Sequence, residues 1–245
     1  MFRSGNPALN DNTFSGFAVE HEKMSLEGVA NKTALLLAIC VVTAAFSWVT
    51  VQVNPGLGFI LFLVGAFGSL AAAISMRFID KRHAVIVGPV FAALEGLVLG
   101  PFSGIMEAAY SGIIVQAISL TFGIFLIMLV IYRAKLIKPT KNLAIGLSAA
   151  VGAIVMIYLV SFILALTSPY QIPYIHGNGL IGIGYSLFVI GIAAMTFVFD
   201  FDFIEKGVEH GAPKHLEWYA AFGLMITLVW LYIEIVRLLS KIRSR

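Results

Sequence analysis

Asp200 and Asp202 stand in the stretch FVFDFDFIEKG, residues 197–207, alternating with phenylalanines at the tail of a long apolar run. Two further acids interrupt apolar surroundings: Glu95 in GPVFAALEGLVLGP and Glu234 in LYIEIVRLL. Placing such a group inside a membrane costs about 2.5 to 3.5 kcal/mol on insertion scales. It therefore marks either a proton or ion pathway, or a buried hydrogen bond that locks two helices together. On a helix, Asp200 and Asp202 point about 200° apart, so only one can face the interior. Asp200 is expected to be that one, about 13 Å from the end of its helix, with Asp202 nearer water. Glu95 lies about 17 Å past the start of its apolar run, which makes it the deepest acid. Glu234 has Arg237 one turn further on, and a local ion pair accounts for it. It also lies about 24 Å beyond Trp218 along its helix, which leaves Glu95 as the better geometric partner for Asp200.

The elements that must carry these acids follow from composition. Of 245 residues 60% are hydrophobic and only 12% charged, with a mean hydropathy of +0.95, whereas a soluble domain carries roughly a quarter charged residues. Apolar runs of about membrane-crossing length fall near 33–53, 57–76, 84–106, 111–132, 143–167, 179–200 and 216–240. The breaks between them hold turn residues, among them Asn54-Pro55-Gly56 and Gly211-Ala212-Pro213. The expectation is an all-α polytopic membrane protein, a seven-transmembrane-helix bundle at 33–242 behind a flexible polar tail at 1–32 without the pattern of a secretory signal. Gly65, Gly68, Ser69 and Ala72 in the second run, and Gly146, Ala149, Ala150 and Ala153 in the fifth, read as faces for close helix packing.

The net charge of +3 comes from short clusters between apolar runs, so nucleic acid is not expected as a partner and membrane lipid is. Arg3, Lys23 and Lys32, the cluster at 77–82, the cluster at 133–141, and Lys206 with Lys214 all fall on one side, which puts the N-terminus in the cytoplasm. Arg237, Lys241, Arg243 and Arg245 disagree, unless this tail is an exception or the last segment is re-entrant. Arg77 ends the second run on the inner side, either as an anchor or within reach of Asp200 or Asp202 as a closing ion pair. Cys40 is alone, so no intrachain disulfide forms.

Several chemistries are set aside. The run from Asp200 has Ile204, Glu205 and Gly211 where a calcium-binding EF-hand loop needs an oxygen ligand, a glycine and a glutamate. A Schiff-base lysine is missing from 216–240, no second core aspartate supports an intramembrane aspartyl protease, and the histidines lie in loops or the tail. No enzyme and no resident cofactor are expected.

The segment Glu95 to Pro101, Phe199-Asp200, and Leu231-Tyr232-Ile233-Glu234-Ile235 together resemble the Bax inhibitor-1 (transmembrane Bax inhibitor motif) family in its prokaryotic branch, over about residues 30–242. The resemblance implies a pH-sensitive calcium leak channel of the bacterial cell membrane, with Asp200 and Glu234 as its pH-sensing pair and Arg77 as its gate. The seventh-helix acid is here Glu rather than Asp, and the two acids are about ten residues further apart than that pattern expects. Two neighbouring buried carboxyls can titrate near neutral pH, and when ionised they offer calcium hard oxygen ligands. Asp200 and Glu95 fall short of a full coordination shell, so calcium would bind them transiently, as a transported ion, and protons would compete with it. The alternatives are a proton-coupled cation exchanger or a non-conducting membrane regulator. Protein partners stay open.

Overall fold

A computed structural model describes residues 22–167 and 177–245. The chain is 87% helical, with no strand among the described residues. The seven helices are α1 (Leu26–Val53), α2 (Pro55–Phe78), α3 (Ala84–Ala109), α4 (Ile113–Arg133), α5 (Lys141–Thr167), α6 (Leu180–Glu209) and α7 (Leu216–Arg243). Every one is long and apolar enough to cross a membrane. The fold class read from the sequence is thus correct, and the chain is an integral membrane protein. Arg3, His21 and His176 lie outside the described residues.

The N-terminal boundary needs correction. α1 begins at Leu26, inside the segment expected to be a flexible tail at 1–32, because Ser25 caps it: its Oγ accepts from the Gly28 amide at 2.9 Å. Residues just upstream are also held, since the Met24 amide donates to the Ala212 carbonyl at 2.7 Å and the Lys214 amide to that of Glu22 at 3.0 Å. Between α1 and α2 a single residue makes the turn. Asn54 ends one helix and starts the next, its Oδ1 accepting from the Leu57 amide at 3.1 Å, while Pro55 occupies the first helical position, where no amide hydrogen is needed.

The chain forms two compact units, the described parts of 11–111 with 202–226 and of 112–201 with 227–245, so α6 and α7 each contribute to both. In the first, α3 packs against α1 and α2. Gly88, Ala92, Gly96, Gly100 and Gly104 recur every fourth residue of α3 and make one small-residue seam. A side chain at Gly96 would collide with Thr43 and the Cys40 carbonyl of α1, and one at Gly100 with Ser47 and the Ala44 carbonyl. Ser47 uses that closeness to donate to the Gly96 carbonyl at 3.1 Å. The α2 face read from the sequence does pack: a Cβ at Gly65 would come within 2.7 Å of the Leu94 carbonyl, and one at Gly68 within 3.0 Å of the Leu94 side chain.

The second unit joins α4, α5 and parts of α6 and α7. Phe125 of α4 meets Phe197 and Phe201 of α6 edge-on, with ring centroids 5.3 and 5.6 Å apart. The expectation for α5 is overturned. A Cβ at Gly146 would meet nothing within 4 Å, and Ala149 and Ala153 are exposed, while Ala144, Leu147 and Ile154 are the buried residues. The small residues of α5 share a helix face, but not the one turned to its neighbours.

Candidate functional site

The buried acids of the second unit lie along α6 and α7, and two contacts fix the register between these helices. Thr227 Oγ1 donates to Asp200 Oδ2 at 2.7 Å, and Lys241 Nζ donates to Ser186 Oγ at 2.9 Å. Fourteen residues forward on α7 correspond to fourteen backward on α6, so the helices run antiparallel in step. Glu234 is therefore level with Ala193, about 10.5 Å along the axis from Asp200. The two acids named by the family resemblance sit two helical turns apart, each with its own partners.

Asp200 has no exposed surface, and Phe197, Val198, Phe199 and Phe201 around it are buried as well. Asp202, on the other side of α6, keeps some exposure and accepts an ion pair from Lys206, one turn on, at 2.6 Å. The periodicity of the helix thus gives the paired aspartates opposite surroundings. Burial of Asp200 is possible because the hydroxyl of Thr227 supplies a hydrogen bond that lipid or apolar side chains could not.

Glu234 is also buried, at 1% exposure. Its Oε1 accepts from the Tyr158 hydroxyl at 2.8 Å and from Arg237 Nη1 at 3.1 Å, while the guanidinium lies 4.9 Å from the centre of the Tyr158 ring. The i,i+3 pair was legible in the sequence; Tyr158, on α5, was not, because nothing in MIYLVSF distinguishes a tyrosine facing an acid from one at a lipid boundary. Beside this trio a cavity of about 190 Å³ is lined by Asn178, Tyr185, Ser186, Ser240 and Lys241. Lys241 is buried there and donates to the Gly182 carbonyl at 3.1 Å as well as to Ser186. Arg243 reaches Gln116 of α4 at 2.9 Å. The C-terminal cations that contradicted the charge rule are thus largely bound to their own unit. α7 is also one continuous helix, so the re-entrant alternative falls away.

In the first unit Glu95 is half-buried on α3, hydrogen-bonded with Ser69 of α2. Arg77 is exposed in the last turn of α2 and has no ion pair among the described residues. It lies within electrostatic reach of Tyr219, and the closing pair with Asp202 is not formed; that carboxylate pairs with Lys206.

Sequence reasoning missed another acid altogether. Glu217, at the start of α7, is 1% exposed and accepts from the Ser25 amide at 2.8 Å, from the Ser25 hydroxyl at 3.0 Å, and from Lys32. Gly28 is needed there, since any Cβ would overlap the Glu217 carboxylate. The charged ends of both helices look in sequence like ordinary solvated termini, and only their long-range meeting reveals the cluster. Nearby, in the turn between α2 and α3, Asp80 accepts from the Arg82 amide at 2.9 Å, which holds its carboxyl below the usual range.

No curated protein matches the chain. The family model described as Bax inhibitor 1 like matches residues 6–244, nearly the whole length, and with seven membrane-length helices and buried acids on the sixth and seventh, the chain belongs to the Bax inhibitor 1 like family.

Proposed function

We propose that the protein is a pH-sensitive leak pathway for calcium or a similar cation, with Asp200 as its titrating group and no enzymatic activity. The observation that carries this reading is a carboxylate without exposed surface, within the last third of a membrane-length helix and next to a neutral hydroxyl donor. A buried carboxylate in a span is costly, and its charge changes whenever a proton reaches it, so it couples the helix pair to pH. When ionised it offers a passing cation one hard oxygen site, which favours transient occupancy over tight binding. Glu95 is the second candidate, in the other unit. Glu234 has a lesser role in this reading than the family resemblance assigns it, because Arg237 already balances its charge. We also place the N-terminus on the cytoplasmic side, on the distribution of lysine and arginine, and take the membrane to be that of a bacterial cell, on the family resemblance.

One observation favours a second reading, a membrane regulator without a pathway. Both Asp200 and Glu234 are hydrogen-bonded to neighbouring helices, as acids that merely lock helices together would be. Purified protein in liposomes with an entrapped calcium dye separates the two. Leak above that of protein-free liposomes, differing between pH 6 and pH 8, supports the pathway; leak no greater than that of protein-free liposomes at both values supports the regulator.

A further inference from the structure

We propose that the cavity beside Glu234 is an oxyanion site, built to hold a phosphate group, and that its occupant competes with Glu234 for Arg237. The charge on the walls points this way. Arg237 and Lys241 line the cavity together with a single carboxylate, Glu234, so its lining carries one net positive charge. That balance repels a calcium ion, and Glu234 Oε1 is already engaged by two donors.

The donors are also of the right kind. Arg237 gives one Nη1–H to Glu234, and its side chain is 43% exposed, so its guanidinium fork can turn towards a tetrahedral oxyanion that matches it in geometry. The Tyr185 hydroxyl is buried at the wall beside the Tyr158 hydroxyl, with which it interacts, and it is a further donor that an oxyanion in the cavity could use. Lys241 is held close to the first turn of α6 by the Gly182 carbonyl, where the positive end of a long helix dipole adds to its own charge. A volume of about 190 Å³ exceeds several waters at about 30 Å³ each, which is ample for one phosphate group. The site lies where α7 ends and α6 begins, so the phosphate can come from a lipid headgroup in the membrane interface or from free phosphate in solution.

The test uses the full chain in neutral detergent and reads affinity from the rise in melting temperature with ligand concentration. Two probes distinguish the sources: inorganic phosphate against chloride at equal ionic strength, and phosphatidylglycerol against phosphatidylcholine in mixed micelles. A rise with phosphate assigns a free anion, and a rise confined to phosphatidylglycerol assigns a lipid; either supports the site. Glu234→Gln keeps an acceptor for Tyr158 but removes the competing charge, so it should tighten binding by about tenfold or more, a unit charge a few ångströms away being worth at least that at an effective dielectric of about 20. Lost stability cannot imitate tighter binding. Combining it with Arg237→Gln should reverse the gain. Tyr185→Phe, which removes one hydroxyl from the wall, should weaken binding several-fold. Absence of any shift with either probe overturns the proposal, as does an affinity indifferent to both Glu234→Gln and Tyr185→Phe. Calcium flux is not read in this test, so its failure leaves the leak reading untouched.

Discussion

At the scale of single residues, the difference between Asp200 and Asp202 comes from helix geometry alone. Two positions apart on α6, one carboxylate enters the core and the other pairs with Lys206. The sequence made that division readable, because a helical period leaves no way for both to face inward. The partner of Asp200 was not readable: threonines are common in apolar helices, and Thr227 gains its meaning only from the antiparallel register with α6. Lys241 was misread as a topology signal for the same reason, its burial depending on Gly182 and Ser186 far away in the chain. Thr227→Val preserves shape and removes the hydroxyl, leaving the Asp200 carboxyl short of a buried hydrogen bond. It should destabilise the protein by about 1 to 3 kcal/mol, seen as a lower melting temperature in detergent. Thr227→Ser, which restores the donor, should recover most of the loss.

At the scale of helices, small residues illustrate how far a one-dimensional pattern reaches. Length and hydropathy identified all seven helices, since lipid requires every backbone group to be satisfied within its own segment. Which face of each helix meets protein is a different matter. On α2 the small residues face α3, and on α3 the four-residue repeat from Gly88 to Gly104 faces α1, but on α5 Gly146, Ala149 and Ala153 are exposed and Ala150 is only half-buried. Lipid tails and a neighbouring helix are both apolar, so hydrophobicity cannot tell the two faces apart. The contrast is testable with one substitution in each place. Gly100→Ala puts a Cβ against Ser47 and the Ala44 carbonyl, within 2.8 Å of the Trp48 amide nitrogen. Because backbone cannot move aside, α1 and α3 must separate, and the melting temperature should fall by several degrees. Gly146→Ala meets nothing within 4 Å and should be neutral or stabilising by about 0.4 to 1 kcal/mol through the unfolded chain. Equal effects at the two positions would contradict the packing described for them.

At the scale of the whole molecule, the lysine and arginine distribution predicts the loops at 77–83, 133–141 and 201–215 in the cytoplasm. A cysteine at Asn54 or Gly177 in a Cys40→Ala background should then react with an impermeant thiol reagent added to intact cells, and labelling only after lysis would reverse the orientation. Arg237, Lys241 and Arg243 argue less strongly against this arrangement than they do in sequence, because Glu234, Ser186 and Gln116 hold them. The central claim is that the buried acid on α6 makes a cation pathway sensitive to pH. Its most direct test is calcium entry into dye-loaded liposomes across pH 5 to 8, with wild type, Asp200→Asn and Asp202→Asn reconstituted at equal density. Asp200→Asn keeps the side-chain volume and an acceptor for Thr227 but removes the titrating charge, so its leak should be the same at every pH, while Asp202→Asn should follow wild type. If Asp200→Asn instead retains the pH profile of wild type, or Asp202→Asn alone loses it, then Asp200 is not the titrating group and the account of this helix is wrong.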